Sequence, residues 1–169
     1  MSYVPSHIGQ ALISPSALCV CSAANNTASA VGSDIQFNAA ADFVGSLASL
    51  LSFSSGIITL PSGYYYFLEG STQAYDTPYS SSMYCQYQWH DGTTGQGSHG
   101  RVVHPPAADG QLTGRDEKAF FFVDATAGAV SVSLRVTGKT SVDTTGLNST
   151  SAQYIYAGMG RAIIWRLDP

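Results

Sequence analysis

Strict alternation of apolar and polar residues is the feature that most narrows what this chain can fold into. Val130, Val132, Leu134 and Val136 trade places at every step with Ser131, Ser133, Arg135 and Thr137. Successive side chains of an extended strand point to opposite faces, so this pattern makes one apolar and one wettable face, which a helix with its period of about 3.6 residues does not do. The same parity recurs where Met83, Cys85, Tyr87 and Trp89 alternate with Tyr84, Gln86, Gln88 and His90, and Asp91-Gly92 then supplies a turn. Near the C-terminus Ile163, Trp165 and Leu167 alternate with Ala162, Ile164, Arg166 and Asp168, which places that run inside a sheet.

Residues 8–12, 18–22, 34–38, 119–124 and 153–157 read as further short strands, for a set of eight or more. Two apolar runs, 56–60 and 64–69, flank Pro61-Ser62-Gly63, where Pro presets φ and Gly accepts φ > 0; this predicts a hairpin. Phe43, Leu47, Leu50 and Leu51 are spaced for one face of a short helix near 41–51. Residues 91–118, rich in Gly and interrupted by Pro105-Pro106, read as a long exposed connection. Seventeen Gly, seven Pro, ten Tyr, seven Phe and two Trp stand against two Lys and two Glu, so turn, aromatic and β-branched residues outweigh good helix formers. The fold class is therefore all-β, an antiparallel sandwich.

A chain of 169 residues fits one domain. Only 11% of its residues are charged, against about 25% in an average soluble domain, which excludes a coiled coil or a charge-rich tail. The net charge of −4 comes with seven Lys and Arg spread along the chain, so no basic stripe tracks a phosphate backbone and nucleic acid is not an expected partner. No run of eighteen apolar residues and no basic-then-apolar N-terminal pattern occurs, which predicts neither a membrane partner nor secretion.

The chain offers little for catalysis. It has many Ser but no G-x-S-x-G elbow, and its one adjacent acidic pair, Asp116-Glu117, would face opposite ways on a strand. The reading is of a protein that is not an enzyme and carries no cofactor. His90, Asp91, His99 and His104 lie close in sequence, but their spacing fits no zinc pattern, so no metal site is assigned. Cys19 and Cys21 would face the same side of a strand and cannot easily bridge each other; with Cys85 they read as small buried hydrophobes, a bond from Cys85 to either being the alternative.

The order of strands resembles the trimeric jelly roll of the C1q and tumour-necrosis-factor (TNF) superfamily. The resemblance rests on residues 53–67 with their Pro-x-Gly corner and Gly63-Tyr64-Tyr65-Tyr66-Phe67 strand, on residues 130–136 after a polar connection, and on the closing run 154–167. It covers residues 30–169 as a single jelly-roll domain, with residues 1–30 as an N-terminal strand or arm. The collagen-like stalk of many C1q relatives is absent from this sequence. Without that stalk or a secretory signal, the composition is similar in style to bacteriophage virion proteins, among which such folds serve as capsid decoration (cement) proteins and as fibre knobs.

The resemblance implies a homotrimer. Independently, Tyr64, Tyr65, Tyr66 and Phe67 put aromatic residues on both faces of one strand, as do residues 120–122, so one sheet face beyond the core needs cover. The interface set is Tyr64, Tyr65, Tyr66, Phe67, Phe120, Phe122, Tyr154 and Tyr156. For a decoration protein assembled in the host cytoplasm and placed on the virion surface, Tyr3, Val4, Ile8 and Leu12 would reach the major capsid protein. For a fibre knob, Tyr75, Tyr79, His90, His99, Arg101 and His104 would offer stacking and hydrogen bonds to a host surface glycan.

Overall fold

A computed structural model of the chain describes residues 16–20, 31–72, 83–104, 115–139 and 160–169. These residues form eleven strands: β1 (Ser16–Val20), β2 (Ala39–Val44), β3 (Ser52–Ser54), β4 (Ile57–Leu60), β5 (Tyr65–Ser71), β6 (Met83–His90), β7 (Gly95–His104), β8 (Arg115–Glu117), β9 (Ala119–Asp124), β10 (Val130–Lys139) and β11 (Arg161–Leu167). The first sheet has the order β2-β1-β11-β5-β9 and the second the order β3-β4-β10-β6-β7-β8. Every pairing is antiparallel. With the edge strands β2, β3 and β8 set aside, eight strands remain. In chain order the first sheet runs first-eighth-third-sixth and the second runs second-seventh-fourth-fifth, the double Greek key of a jelly roll. The all-β antiparallel reading holds. Among the described residues no helix is long and apolar enough to cross a membrane.

The core lies between the sheets. Trp89, Tyr66, Tyr87 and Phe37 are its largest fully buried side chains, and Cys19 and Cys85 are buried thiols among them. Buried aromatic tips need partners, and each has one. Trp89 Nε1 donates to the Ala119 carbonyl at 3.2 Å, Tyr87 Oη to the Glu117 carbonyl at 2.8 Å, and Tyr66 Oη to the Pro61 carbonyl at 2.9 Å. The first two acceptors flank the point where the chain leaves β8 in the second sheet and enters β9 in the first, so the core aromatics pin that crossover. Gly100 makes room for them: a Cβ there would collide with the Tyr87 ring and stand 2.7 Å from both the Ala119 nitrogen and the Glu117 oxygen.

Several local expectations are corrected. Residues 56–69 are not a hairpin, because β4 pairs with β10 and β5 with β11 and β9. Pro61-Ser62-Gly63 is instead the corner by which the chain changes sheets. Gly63 takes φ 95° there, and the Gly63 nitrogen to Ala125 oxygen and Ala125 nitrogen to Tyr64 oxygen bonds, 2.8 and 3.0 Å, lash the corner to the end of β9. The helix near 41–51 reduces to a 3-10 turn at Ala48–Leu50. Phe43 belongs to β2, Gly45 with φ 75° ends that strand, and Phe43 and Leu50 are exposed while Leu47 and Leu51 are buried, so no single face forms.

Much of the connection expected over residues 91–118 is strand instead: β7 is a hairpin arm paired with β6, β8 pairs with β7, and residues 105–114 lie outside the described residues. The Asp91 carboxylate accepts from the backbone nitrogens of Thr93 and Thr94, both at 2.9 Å, and from the Thr93 and Thr94 hydroxyls and Gln96 Nε2. Those bonds hold its carboxyl well below the usual carboxylate range, backbone donors first. They turn the chain straight into β7. Residues 34–38 are not a strand: they form a strap whose one bridge is Asp34 to Arg135.

Candidate assembly surface

Three adjacent strands at one end of the first sheet, β11, β5 and β9, carry unusual side chains on their outward faces. Along β5 the residues alternate half-buried and buried, with Tyr66, Leu68 and Gly70 inward and Tyr65, Phe67 and Glu69 outward. On β9 Ala119 and Val123 face the core while Phe120 and Phe122 face out, 39% and 54% exposed. On β11 Ala162 and Ile164 are buried and Ile163, Trp165 and Leu167 stand on the other face. In each strand the outward parity is as bulky as the inward one or bulkier. A sheet whose second face meets water normally shows polar residues there.

These outward rings organise across strands. The register puts Phe67 opposite both Phe122 and Trp165. Phe67 stacks on Phe120 with centroids 5.7 Å apart and lies 5.5 Å from Trp165, while Tyr65 stacks on Phe122 at 5.6 Å. Leu18 of β1 continues the apolar row beside Ile163. Lys118 and Glu69 form an ion pair at the margin of the aromatic group. Three strands about 4.8 Å apart and about 20 Å long give this group a face of roughly 300 Å². That matches the largest apolar patch on a typical monomeric protein, and patches of this size are often functional.

The opposite outer face is different in kind. The second sheet presents Tyr84, Gln86, Gln88 and His90 from β6, His99 and Arg101 from β7, and Ser131 and Arg135 from β10. The Arg101 guanidinium lies 4.7 Å over the Tyr84 ring, and Asp34, Ser133 and Arg135 are linked by hydrogen bonds. The sandwich is thus polar on one side and aromatic on the other.

Of the interface residues read from the sequence, Tyr65, Phe67, Phe120 and Phe122 come together on the aromatic face. Tyr66 does not: it is fully buried in the sandwich's own core, and that burial pushes its phenol up to about 12. Tyr64 sits at the corner, packed edge-on to Tyr66 and covered by the Arg166 guanidinium at 4.3 Å. Tyr154 and Tyr156 lie outside the described residues, as do Tyr3, Val4, Ile8, Leu12, Tyr75 and Tyr79. His90, His99 and Arg101 stand on the polar sheet face rather than on a loop, and His104 ends β7 opposite Met83. Among the described residues no group of three His, Cys, Asp or Glu is placed to hold a metal ion.

Trp165, Ile163, Leu167 and Leu18 belong to the aromatic face and were not in the predicted set. Their shared parity was visible, but it pointed equally well to the core. Only the small Ala162 on the other parity hinted that the bulky side faces out.

No family model matches the chain, and no curated protein matches it. Among solved structures, that of mouse APRIL at pH 8.0 is similar over 89% of this chain and 98% of that chain, with 11% identity and a TM-score of 0.41. By its own strand order the protein is a jelly-roll sandwich, one that carries a second apolar layer on the outside of one sheet.

Proposed function

We propose that the protein is a structural, non-catalytic subunit that assembles as a homotrimer through the outer face of the first sheet. The observation that carries this is the aromatic layer of Tyr65, Phe67, Phe120, Phe122 and Trp165, lying outside the sandwich's own buried core. Rigid aromatic side chains lose little conformational entropy when covered, and such residues concentrate at the centres of interfaces. A second copy supplies a face of the same chemistry, while the polar sheet stays in water. The setting we propose is the outer surface of a bacteriophage head, where the trimer decorates and cements the shell against the major capsid protein. The low charge and the richness in Ser, Thr, Gly and Tyr support adhesion through apolar and main-chain contacts.

A second reading, a fibre knob that binds a host glycan, draws on the polar face with its exposed His99 and its Arg101–Tyr84 pair. Light scattering on the purified chain tests the assembly: three times the 17.7 kDa chain mass is expected, and a single-chain mass at micromolar concentration overturns it. Quantitative mass spectrometry of particles carrying the protein separates the settings. Copy numbers comparable to the major capsid protein mean decoration, a few copies mean a fibre, and absence from particles refutes both.

A further inference from the structure

Residues 31–37 cross the molecule as a strap. Gly32 donates its backbone N–H to the Val136 carbonyl at 2.8 Å, Val136 to Ser33 at 3.0 Å, and Ile35 to Leu134 at 2.8 Å, so the strap is stitched to β10 of the second sheet. Ile35 and Phe37 then plug the core, and the chain enters β2 at the edge of the first sheet. The polar end of the strap is held by one ion pair. Arg135 Nε donates to Asp34 Oδ1 at 2.7 Å and Arg135 Nη2 to Asp34 Oδ2 at 3.3 Å, while the Ser133 hydroxyl donates to the same Oδ1 at 2.9 Å. A forked guanidinium–carboxylate pair is directional and half-buried here, which makes it a sensitive fastening.

His90 stands against this pair. Its Nδ1 is 3.5 Å from Arg135 Nη1, a contact that needs Nδ1 to be an acceptor and therefore unprotonated. The charged groups facing His90 are Arg135 from β10, Asp34 from the strap and Asp91 from the turn; across the ladder on β7 its neighbour is Gly95. Asp91 is committed to Thr93, Thr94 and Gln96, and Asp34 to Arg135 and Ser133. A proton on His90 removes the acceptor, sets a second cation beside Arg135, and competes with Arg135 for the one carboxylate that fastens the strap.

We propose that Asp34, Arg135 and His90 form an acid-sensitive clasp, in which protonation of His90 loosens the strap leading into β2. Burial first, and the Arg135 charge second, hold His90 below its usual 6.5, with Asp34 and Asp91 opposing. A histidine depressed in the fold favours the native state fully above 6.5, and that contribution is lost as the pH falls through the native value. The clasp is therefore closed at neutral pH and open in mild acid. It operates within one chain and does not depend on assembly of the aromatic face.

Amide hydrogen exchange on the full chain at pH 7.5 and pH 5.0, corrected for intrinsic rates, reads the clasp directly. Protection of the Gly32, Ile35 and Val136 amides is expected to fall on the order of tenfold in acid relative to the β6–β7 ladder. His90→Gln keeps an acceptor but gains no proton, so its strap amides keep the same protection at both pH values. Asp34→Asn loses the fastening and exchanges quickly at both. Equal protection of the unmodified strap at the two pH values, an undiminished acid response in His90→Gln, or full protection in Asp34→Asn at pH 7.5 each overturns the proposal.

Discussion

Replacing Phe122 by Ser separates assembly from folding. The ring is 54% exposed. A phenylalanine side chain presents roughly 200 Å², so about 110 Å² of this one awaits cover, worth roughly 2.7 kcal/mol at about 25 cal/mol per Å². That corresponds to about 100-fold in affinity per subunit, and to roughly a million-fold in a three-subunit equilibrium if the copies add independently. Within one chain the change removes the stack on Tyr65, whose ring lies 5.6 Å away, and part of the packed ring edge. That costs the fold about 1–2 kcal/mol, or a melting temperature lower by about 2–8 °C. Sedimentation equilibrium over a concentration series, paired with thermal denaturation, measures both quantities. The expected result is a folded single chain from Phe122→Ser at concentrations where the parent is trimeric. His99→Ser, an exposed change on the polar face, leaves assembly unaltered. If Phe122→Ser associates within threefold of the parent, the aromatic face is not the contact surface and the argument from the second apolar layer fails.

Gly100→Ala forces a methyl group against the Tyr87 ring and the backbone of residues 117–119, and overpacking of this kind costs about 1–3 kcal/mol. Its melting temperature falls by about 3–10 °C, and an unchanged value would mean that the crossover into β9 is loosely packed. The Tyr66 phenol, pushed up to about 12 by burial, stays neutral in the native state where an unfolded tyrosine already ionises. Stability is therefore full below pH 10 and declines as pH rises above it. In an ultraviolet titration of the folded protein, Tyr66→Phe removes no ionisation step below pH 11, and loss of one there would contradict the burial of this ring.

The strands were legible because the pleat of an extended backbone is a local property. Alternation in residues 83–90 and 130–136 named β6 and most of β10, together with the inward face of each, since only one parity there is apolar. Residues 119–124, a short continuous apolar run, coincide with β9. The corner at Pro61-Ser62-Gly63 shows where local chemistry runs out. The turn it encodes serves a hairpin or a change of sheet equally well, and β10 and β11, far along the chain, decide between them by pairing with β4 and β5.

The candidate surface divides along the same line. That aromatic residues exceed what one core can hide was readable from Tyr64 to Phe67 and from residues 120–122. Which of them are surplus was not, because in β5, β9 and β11 both parities are apolar and either could pack inward. The register of those three strands and the limited volume between the sheets select Tyr66, Leu68, Ala162 and Val123 for the interior and leave Tyr65, Phe67, Phe122 and Trp165 outside. The alternation and the all-β class belong to the sequence by itself, since each residue's side is set by its immediate backbone. The choice of inner face, the sheet-changing corner and the Asp34–Arg135–His90 clasp belong to the tertiary structure, because each depends on contacts between residues far apart in the chain.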